Sequence, residues 1–322
     1  GSGVKSIRLP NGNVVNGTSA SQVVSENGTY TFLLTDHAGN ETTLTAIVNN
    51  IDKMTPNAKS NQYPIGWTNG DVTLSLTDIE DIGNSGYYRT LLPDGTYSTA
   101  QTVTYKVNSN GEYRFIIYDR AGNQLTKSFQ VSNIDKVKPQ GTLTYSDTNP
   151  INHDVTITLK ATDEGSGVKS IQLPNGTIVN GSTVSYTMTG NGKVSFIITD
   201  HAGNQTTVTG EVTNIDKTPP VLHLEPSTNE WTKETISIKA TASDERGVVQ
   251  IILPNGNVVN GTSTTFSVRA NGTYSFMAKD PAGNTTSRSI TITNFDGDKP
   301  KLEMDILNET STRIDIRLKY GD

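Results

Sequence analysis

The phrase Ala-Gly-Asn recurs four times along the chain, at Ala38-Gly39-Asn40, Ala121-Gly122-Asn123, Ala202-Gly203-Asn204 and Ala282-Gly283-Asn284, and successive copies stand 83, 81 and 80 residues apart. A Leu-Pro-Asn/Asp-Gly turn repeats with Pro10, Pro93, Pro174 and Pro254, and an Asn-Ile/Phe-Asp string with Asn50, Asn133, Asn214 and Asn294, both at those same three spacings. Three unrelated markers that keep one register define an internal repeat of about 80 residues in a chain of 322. The fold of one unit is therefore the fold of all, and each unit must close its own core.

Each unit reads as β-structure. In the third, Val155, Ile157 and Leu159 alternate with polar residues, and Val168, Ile171 and Leu173 lead into Pro174-Asn175-Gly176, where proline presets one turn position and glycine is free to take positive φ. Short strands follow at Ile178-Val179, Val184-Tyr186-Met188 and Val194-Phe196-Ile198, and Val208, Val212 and Ile215 close the unit. No segment shows a helical apolar period. About seven short strands with a turn every 8–12 residues predict an all-β fold, a tandem array of immunoglobulin-like seven-stranded β-sandwich modules.

Register names the core. Tyr30-Phe32-Leu34, Tyr113-Phe115-Ile117, Val194-Phe196-Ile198 and Tyr274-Phe276-Ala278 form one equivalent strand, each after an Asn-Gly turn. A tyrosine just past that corner predicts a packed ring with its hydroxyl tied to backbone; Val194 requires the third module to close the corner differently. Trp67 and Trp231 are assigned equivalent slots before the second strand, with Ile151 in the slot between them. These tryptophans are not clustered, which favours packing at a module end over sugar stacking.

Module boundaries fall after each Asn-Ile/Phe-Asp string, where Pro56, Pro139, Pro219-Pro220 and Pro300 mark stiff linkers. The pieces are 1–54, 55–138, 139–218, 219–299 and 300–322. Gly1-Ser2-Gly3-Val4-Lys5-Ser6-Ile7 matches Gly165-Ser166-Gly167-Val168-Lys169-Ser170-Ile171, so the first piece lacks two strands, and Lys319-Tyr320-Gly321-Asp322 aligns with Lys160-Ala161-Thr162-Asp163, so the last piece is those two strands. Two readings stay open. The ends are either arbitrary cut points, or residues 300–322 of one molecule complete 1–54 of the next by strand addition, giving head-to-tail self-association.

Composition narrows the function. A net charge of −6 and a pI near 5.3 disfavour nucleic-acid binding. No apolar run is long enough to span a membrane, and the absence of cysteine excludes a disulfide-stapled domain without assigning a compartment. His37 and His201 share a turn slot that Arg120 and Pro281 fill elsewhere, and His153 and His223 have no ligand-spaced partner. No nucleophile elbow, phosphate loop or zinc motif is present, so no catalytic residue is expected.

One constellation recurs. The loop after strand two, the loop before the last strand and the entering linker share one end of a sandwich, and acids gather there. The groups are Asp52 with Asp78, Glu80, Asp81 and Asp119; Asp135 with Asp163, Glu164 and Asp200; and Asp216 with Asp244, Glu245 and Asp280. Hard oxygen ligands of this kind suit calcium at the module junctions. The competing reading is that the Asp of Asp-x-Ala-Gly-Asn caps its own turn. Lys160, Lys239 and Lys319 sit at related positions on strand two and raise the question of a Lys–Asn isopeptide crosslink, but Thr77 takes that slot in the second module and alternation turns Lys160 to solvent. Asn-x-Thr strings such as Asn27-Gly28-Thr29 coincide with hairpin turns, which explains them better than glycosylation.

These signatures (Trp67-Thr68-Asn69-Gly70-Asp71-Val72, Gly165-Ser166-Gly167-Val168, Leu253-Pro254-Asn255-Gly256, Asn271-Gly272-Thr273-Tyr274 and Asn214-Ile215-Asp216-Lys217-Thr218-Pro219-Pro220) resemble the bacterial Ig-like repeats of Gram-positive, Bacillus-type cell-surface proteins. The resemblance implies export to the cell surface and a stalk, spacer or adhesive role. Four modules in line reach on the order of 150 Å at about 3.3 Å per strand residue. A fibre subunit is the second expectation. A module binding a surface polysaccharide or a host protein is the third, with Tyr87, Tyr88 and Tyr97 as its only aromatic candidates.

Overall fold

The computed structural model describes residues 1–248 and 250–321, and its regular elements are all strands. Three seven-stranded sets appear in series. In the first, Asn57–Tyr63, Val72–Glu80 and Val103–Val107 form a three-stranded sheet opposite the four strands Gln124–Val131, Gly111–Asp119, Tyr87–Leu91 and Tyr97–Ser98. The same division into three and four recurs in the next set, with sheets centred on Val155–Thr162 and on Gly192–Asp200 paired with Val168–Gln172. It recurs again with Ile236–Ser243 between Val221–Pro226 and Ser263–Val268, and with Gly272–Lys279 between Gln250–Ile252 and Thr285–Ile292. Antiparallel sandwiches of seven strands in tandem are the immunoglobulin-like arrangement.

Alternation explains the sandwiches. Along Val72–Glu80 the burial alternates, putting Val72, Leu74 and Leu76 fully inside while Thr73 and Ser75 stay half-buried. An equivalent aromatic contact crosses each core. Phe115 meets Tyr105 edge-on at 6.0 Å, Phe196 meets Tyr186 at 6.3 Å and Phe276 meets Phe266 at 6.0 Å, the quadrupole-favoured T-shaped geometry.

Residues 4–48 form a single four-stranded sheet of Val14–Asn16, Val4–Arg8, Gly28–Asp36 and Glu41–Val48. No second sheet among the described residues covers it, so Phe32 is only half-buried where Phe115, Phe196 and Phe276 are enclosed. Among the described residues, Lys301–Thr310 and Arg313–Gly321 pair only with each other. Leu302 is 68% exposed there, whereas Leu222 at the matching position of the preceding sandwich is 1% exposed.

The chain clusters into two compact units. One holds Gly1–Pro139 with the loops Thr162–Lys169 and Thr199–Thr206; the other holds Gln140–Ala161, Ser170–Ile198 and the chain from Thr207 onward. The two loops group with the linker that precedes them because they hydrogen-bond to it, as described below.

The repeat markers are all structural. At each Leu-Pro-Asn/Asp-Gly turn the glycine sits at φ between 82° and 87° (Gly12, Gly95, Gly176, Gly256), and its N–H donates to the carbonyl of the turn's leucine. The tyrosine corner forms as expected. Tyr30, Tyr113 and Tyr274 donate to the carbonyls of Glu26, Ser109 and Ala270 at 2.7, 2.8 and 2.8 Å. In the third module Val194 is buried, and the Tyr145 hydroxyl reaches over the backbone of Gly210 beside it.

One slot assignment is corrected. Thr68, Ile151 and Thr232 make the equivalent bridges to Ile134, Ile215 and Phe295, so Pro150, not Ile151, occupies the position of Trp67 and Trp231. Counting back from the next strand fixes this: Val72, Val155 and Ile236 each follow the tryptophan slot by five residues. Both tryptophans are surface residues, 45% and 72% exposed.

Candidate site at the module junctions

Among the described residues three aspartate triads form, each drawing one residue from a linker, one from the loop after the second strand and one from the Asp-x-Ala-Gly-Asn turn. They are Asp52/Asp81/Asp119, Asp135/Asp163/Asp200 and Asp216/Asp244/Asp280, and within each the ligand oxygens lie within 4.8 Å of one another. Asp119, Asp135, Asp200, Asp216 and Asp280 are buried, whereas the linker residue Asp52 and the three loop members are half-buried.

Asp78, assigned to the first group from sequence, is not in it. Its carboxylate pairs with Lys59 Nζ at 2.8 Å on the surface, and Asp81 takes the place expected of it. A bulge is the cause. Asn57 faces Glu80 and Lys59 faces Thr77, so Asp78 and Ile79 stand opposite the single Ala58, and Asp78 adopts φ 53°. The extra residue shifts every later position of that loop by one. The glutamates of the three groups, Glu80, Glu164 and Glu245, are exposed and outside the triads.

The turn aspartates are held by their own turns. Asp119 accepts from the Asn123 N–H and side-chain amide, both at 2.8 Å. Asp200 does so from Asn204 at 2.7 and 2.8 Å, Asp280 from Asn284 at 2.8 and 2.7 Å, and Asp36 from Asn40 at 2.8 and 2.9 Å. The Asn40 side chain, followed by its N–H, holds the Asp36 carboxyl below the usual carboxylate range. The same asparagine amide then reaches the linker. Asn123, Asn204 and Asn284 donate to the carbonyls of Asp52, Asp135 and Asp216 at 3.2, 2.9 and 2.9 Å.

The linker aspartates differ from one another. Asp52 accepts from the N–H of Met54 at 2.9 Å with one oxygen and of Ser85 at 3.0 Å with the other. Asp135 accepts from Val137 at 3.0 Å and Ser166 at 2.7 Å in the same way. The Ser85 side chain first, and then the Met54 N–H, hold Asp52 below its ordinary value. Burial pushes Asp135 up, and the N–H and hydroxyl of Ser166 with the N–H of Val137 outweigh it, leaving its carboxyl below the usual range. Asp216 accepts from the Thr218 N–H at 3.1 Å with one oxygen, while Asp216 Oδ2 is buried without a partner among the described residues. Asp163 Oδ2 is likewise unpaired, on a half-buried residue whose other oxygen accepts from the Gly167 N–H at 3.1 Å.

The sequence markers missed a second clamp. Asn110 donates to the carbonyl of Ile134 at 2.8 Å and accepts from its N–H at 2.9 Å; Asn27 with Ile51, Asn191 with Ile215 and Asn271 with Phe295 repeat the pattern. The constant 24-residue offset between Asn-Gly and Ile/Phe-Asp was the available signal. These asparagines are spent on backbone, in keeping with the turn reading of Asn-x-Thr.

Elsewhere the candidates are surface features. All four histidines, and Lys160, Lys239 and Lys319, are exposed. Tyr87 turns its hydroxyl inward to Thr90 Oγ1, Ser98 O and Ala100 O. Tyr88 and Tyr97 are half-exposed, and the Arg89 guanidinium stacks 3.9 Å from the Tyr97 ring centre, covering that face.

With the sandwich class and the junction geometry in hand, the chain can be set beside known proteins. Residues 161–217 match the family model of the bacterial Ig-like domain. No curated protein matches the sequence. Among solved structures, one reported for host cell surface retention of a 1.5-MDa bacterial ice-binding adhesin is similar, with 17% identity, 75% of this chain and 98% of that chain covered, and a TM-score of 0.38. Another is SGBP-B of the Bacteroides ovatus mixed-linkage glucan utilization locus in complex with a mixed-linkage heptasaccharide, with 14% identity, 82% and 80% coverage and a TM-score of 0.17. A third is dimeric latent PorU of Porphyromonas gingivalis, with 11% identity, 88% and 33% coverage and a TM-score of 0.19. None of the three lends this chain an activity or a ligand.

Proposed function

We propose that the chain is a structural spacer of an extracellular bacterial surface protein, in which small sandwiches are pinned in succession to present other parts of the molecule. The carrying observation is the repeated bond from the Ala-Gly-Asn amide to the linker carbonyl, Asn123 to Asp52, Asn204 to Asp135 and Asn284 to Asp216. A bond that ties each linker to the loops after it has a mechanical purpose and no catalytic one. Pro56, Pro139 and Pro220, all buried, stiffen the same linkers. The modules of this reading are 1–54, 55–138, 139–218, 219–299 and 300–322.

Pulling single molecules from their two ends tests it. Separate unfolding events are expected, each releasing a module of about 80 residues, or roughly 270 Å of extended chain. One event for the whole chain contradicts the reading. Antibody labelling of intact source bacteria tests the surface location.

A second reading, self-association through the terminal hairpin, rests on its apolar residues. Ile306 and Ile316, which pair across the two strands, are 56% and 54% exposed. Exposed apolar strands recruit a covering sheet. A mass by light scattering that rises with concentration, and no longer does so in Ile306→Lys/Ile316→Lys, supports it; a constant mass dismisses it.

A further inference from the structure

We infer that, whether or not the chain is a spacer, the outer face of the four-stranded sheet in module 55–138 binds an acidic polysaccharide through Arg89, Tyr88 and Tyr97. The guanidinium takes a carboxylate of the polymer, and the tyrosine rings take its sugar faces.

Strand pairing builds the patch. Arg89 stands opposite Tyr118, and Tyr97 stands opposite Leu91, two residues on from Arg89, so the three side chains share one face. Ile117 and Thr90, the next pair along, are both buried, which makes that face the outer one. Asp119 faces Tyr87, so Tyr88 is the extra residue of a bulge and turns to the side of Arg89. The Arg89 Cζ lies 3.9, 4.9 and 5.8 Å from the ring centres of Tyr97, Tyr88 and Tyr118. The repeat shows that the sandwich itself does not need these residues. At the positions of Tyr88, Arg89, Tyr97 and Tyr118 the other modules carry Lys5, Ser6, Val14 and Thr35; Lys169, Ser170, Ile178 and Thr199; and Val249, Gln250, Val258 and Lys279.

Arg89 is left short of partners. Among the described residues it is half-buried where every other arginine is exposed, and none of their ion pairs includes it. Its Nε is enclosed without a hydrogen-bond partner, and the Nη end, which no described residue bonds, is not enclosed. Ring stacking offsets part of the cost of drying the charge, but it supplies no acceptor. An anion at the open Nη end does. The site lies on the outside of a sheet, not in a cleft that would enclose a small molecule. A peptide strand would add to a sheet edge, and the edge beside Arg89 is only the 2-residue strand Tyr97–Ser98. A sugar polymer lying across the face needs neither. Tyr88 and Tyr97, 50% and 51% exposed, offer their uncovered ring area to the C–H faces of its sugars. The net charge of −6 repels a polyanion from the chain as a whole, so a local cation must retain it.

The test is affinity electrophoresis of the full chain through gels containing polygalacturonate, with fully methyl-esterified pectin as the uncharged sugar polymer and poly-glutamate as the acid without sugar. Retardation by polygalacturonate alone is expected. Arg89→Gln and Tyr97→Ala are each expected to weaken binding at least ~10-fold, since one removes the charge-assisted bond and the other the ring that positions it. Either variant alone leaves a folding defect as an explanation, so Arg89→Lys is added. It keeps a cation on the rings but not the fork, and is expected to melt as the unaltered chain does while binding at least ~3-fold more weakly. Arg114→Gln removes an exposed arginine, paired with Glu112 at 3.0 Å, from the neighbouring strand and is expected to leave retardation unchanged. No retardation of the unaltered chain by polygalacturonate overturns the proposal. So does full binding by Arg89→Lys, an equal loss in Arg114→Gln, equal retardation by the esterified polymer, or equal retardation by poly-glutamate, the result if the partner is an acidic protein segment.

Discussion

The backbone N–H of Ser166 donates to Asp135 Oδ2 at 2.7 Å, joining a linker to the loop that follows the second strand of the next sandwich. The Ser166 hydroxyl accepts from the Ala202 N–H at 3.1 Å, so one residue connects linker, loop and turn. Asp135 is the centre of this arrangement. Its backbone carbonyl takes the Asn204 amide, and its two carboxylate oxygens take the N–H groups of Val137 and Ser166.

The junction should therefore loosen in acid. The Asp135 carboxyl is held below its ordinary value in the folded chain, because its hydrogen bonds outweigh its burial. A depressed folded-state value means that the stabilisation is complete above the unfolded carboxyl value of about 4, and is lost as pH falls through the lower, folded value. Asp36, in the turn of the first sheet, and Asp52, at the first junction, are shifted the same way, so their own turn and linker contacts also weaken as pH falls. Hydrogen exchange at residues 165–167 is expected to accelerate as pH drops below about 4, beyond the intrinsic dependence measured on the unfolded chain. Asp135→Asn should flatten that excess.

Asn110→Ala should be among the more damaging surface-loop substitutions. It removes a donor to Ile134 O and an acceptor from Ile134 N, and Ile134 is 7% exposed, so water does not easily replace them. Two bonds at about 1 kcal/mol each predict a loss of about 2 kcal/mol, with more if both backbone groups stay dry. Asn110→Asp keeps only the acceptor and sets a charge against a carbonyl, so it should not rescue. Denaturant unfolding followed by hydrogen exchange at Ile134 measures both.

Tyr113→Phe isolates the tyrosine corner. The ring keeps its place against the core, and the hydroxyl's two bonds to Ser109, to its O at 2.8 Å and with its Oγ at 3.1 Å, are lost. About 1–2 kcal/mol is expected from two neutral bonds at an exposed corner. The third module supplies the natural comparison, with Val194 buried and Tyr145 brought in from another strand. Tyr145→Phe should leave the fold intact there, and both variants are compared by chemical denaturation.

The sandwiches were legible because their information is local and repeated. Turn glycines at Gly12, Gly95, Gly176 and Gly256, alternation along Val155–Thr162 and the Tyr113 corner each follow from residue type at a fixed offset. The junctions were legible only in part. Asp52, Asp135 and Asp216 could be grouped with acids of two later loops, but the bulge that exchanges Asp78 for Asp81 depends on strand pairing, which composition does not reveal. The tryptophan slot slipped by one residue for a related reason, since Pro150 does not look like Trp67. Whether a carboxylate oxygen is answered, as in Asp135, or left unpaired, as in Asp216, depends on a backbone N–H that any residue carries. Only the geometry distinguishes them.

Gly165→Ala tests how closely the loop must approach the linker. Gly165 does not have positive φ, so its constraint is space rather than backbone conformation. A Cβ built there overlaps the Asp135 carboxylate, and one at Gly83 overlaps Asp52 in the same way. The loop must withdraw or the carboxylate must rotate, and either breaks the Ser166 N–H bond. Overpacking of this kind costs about 1–3 kcal/mol. The damage should be confined to the junction, because neither glycine lies in a core cluster. Gly190 is the control: it has open space around its Cβ position and no positive φ, so Gly190→Ala should be nearly neutral. Hydrogen exchange separates the outcomes. Faster exchange at Ser166 with unchanged protection of Val155–Thr162 is expected for Gly165→Ala, and equal effects of the two alanines would mean that the close approach to Asp135 does not matter.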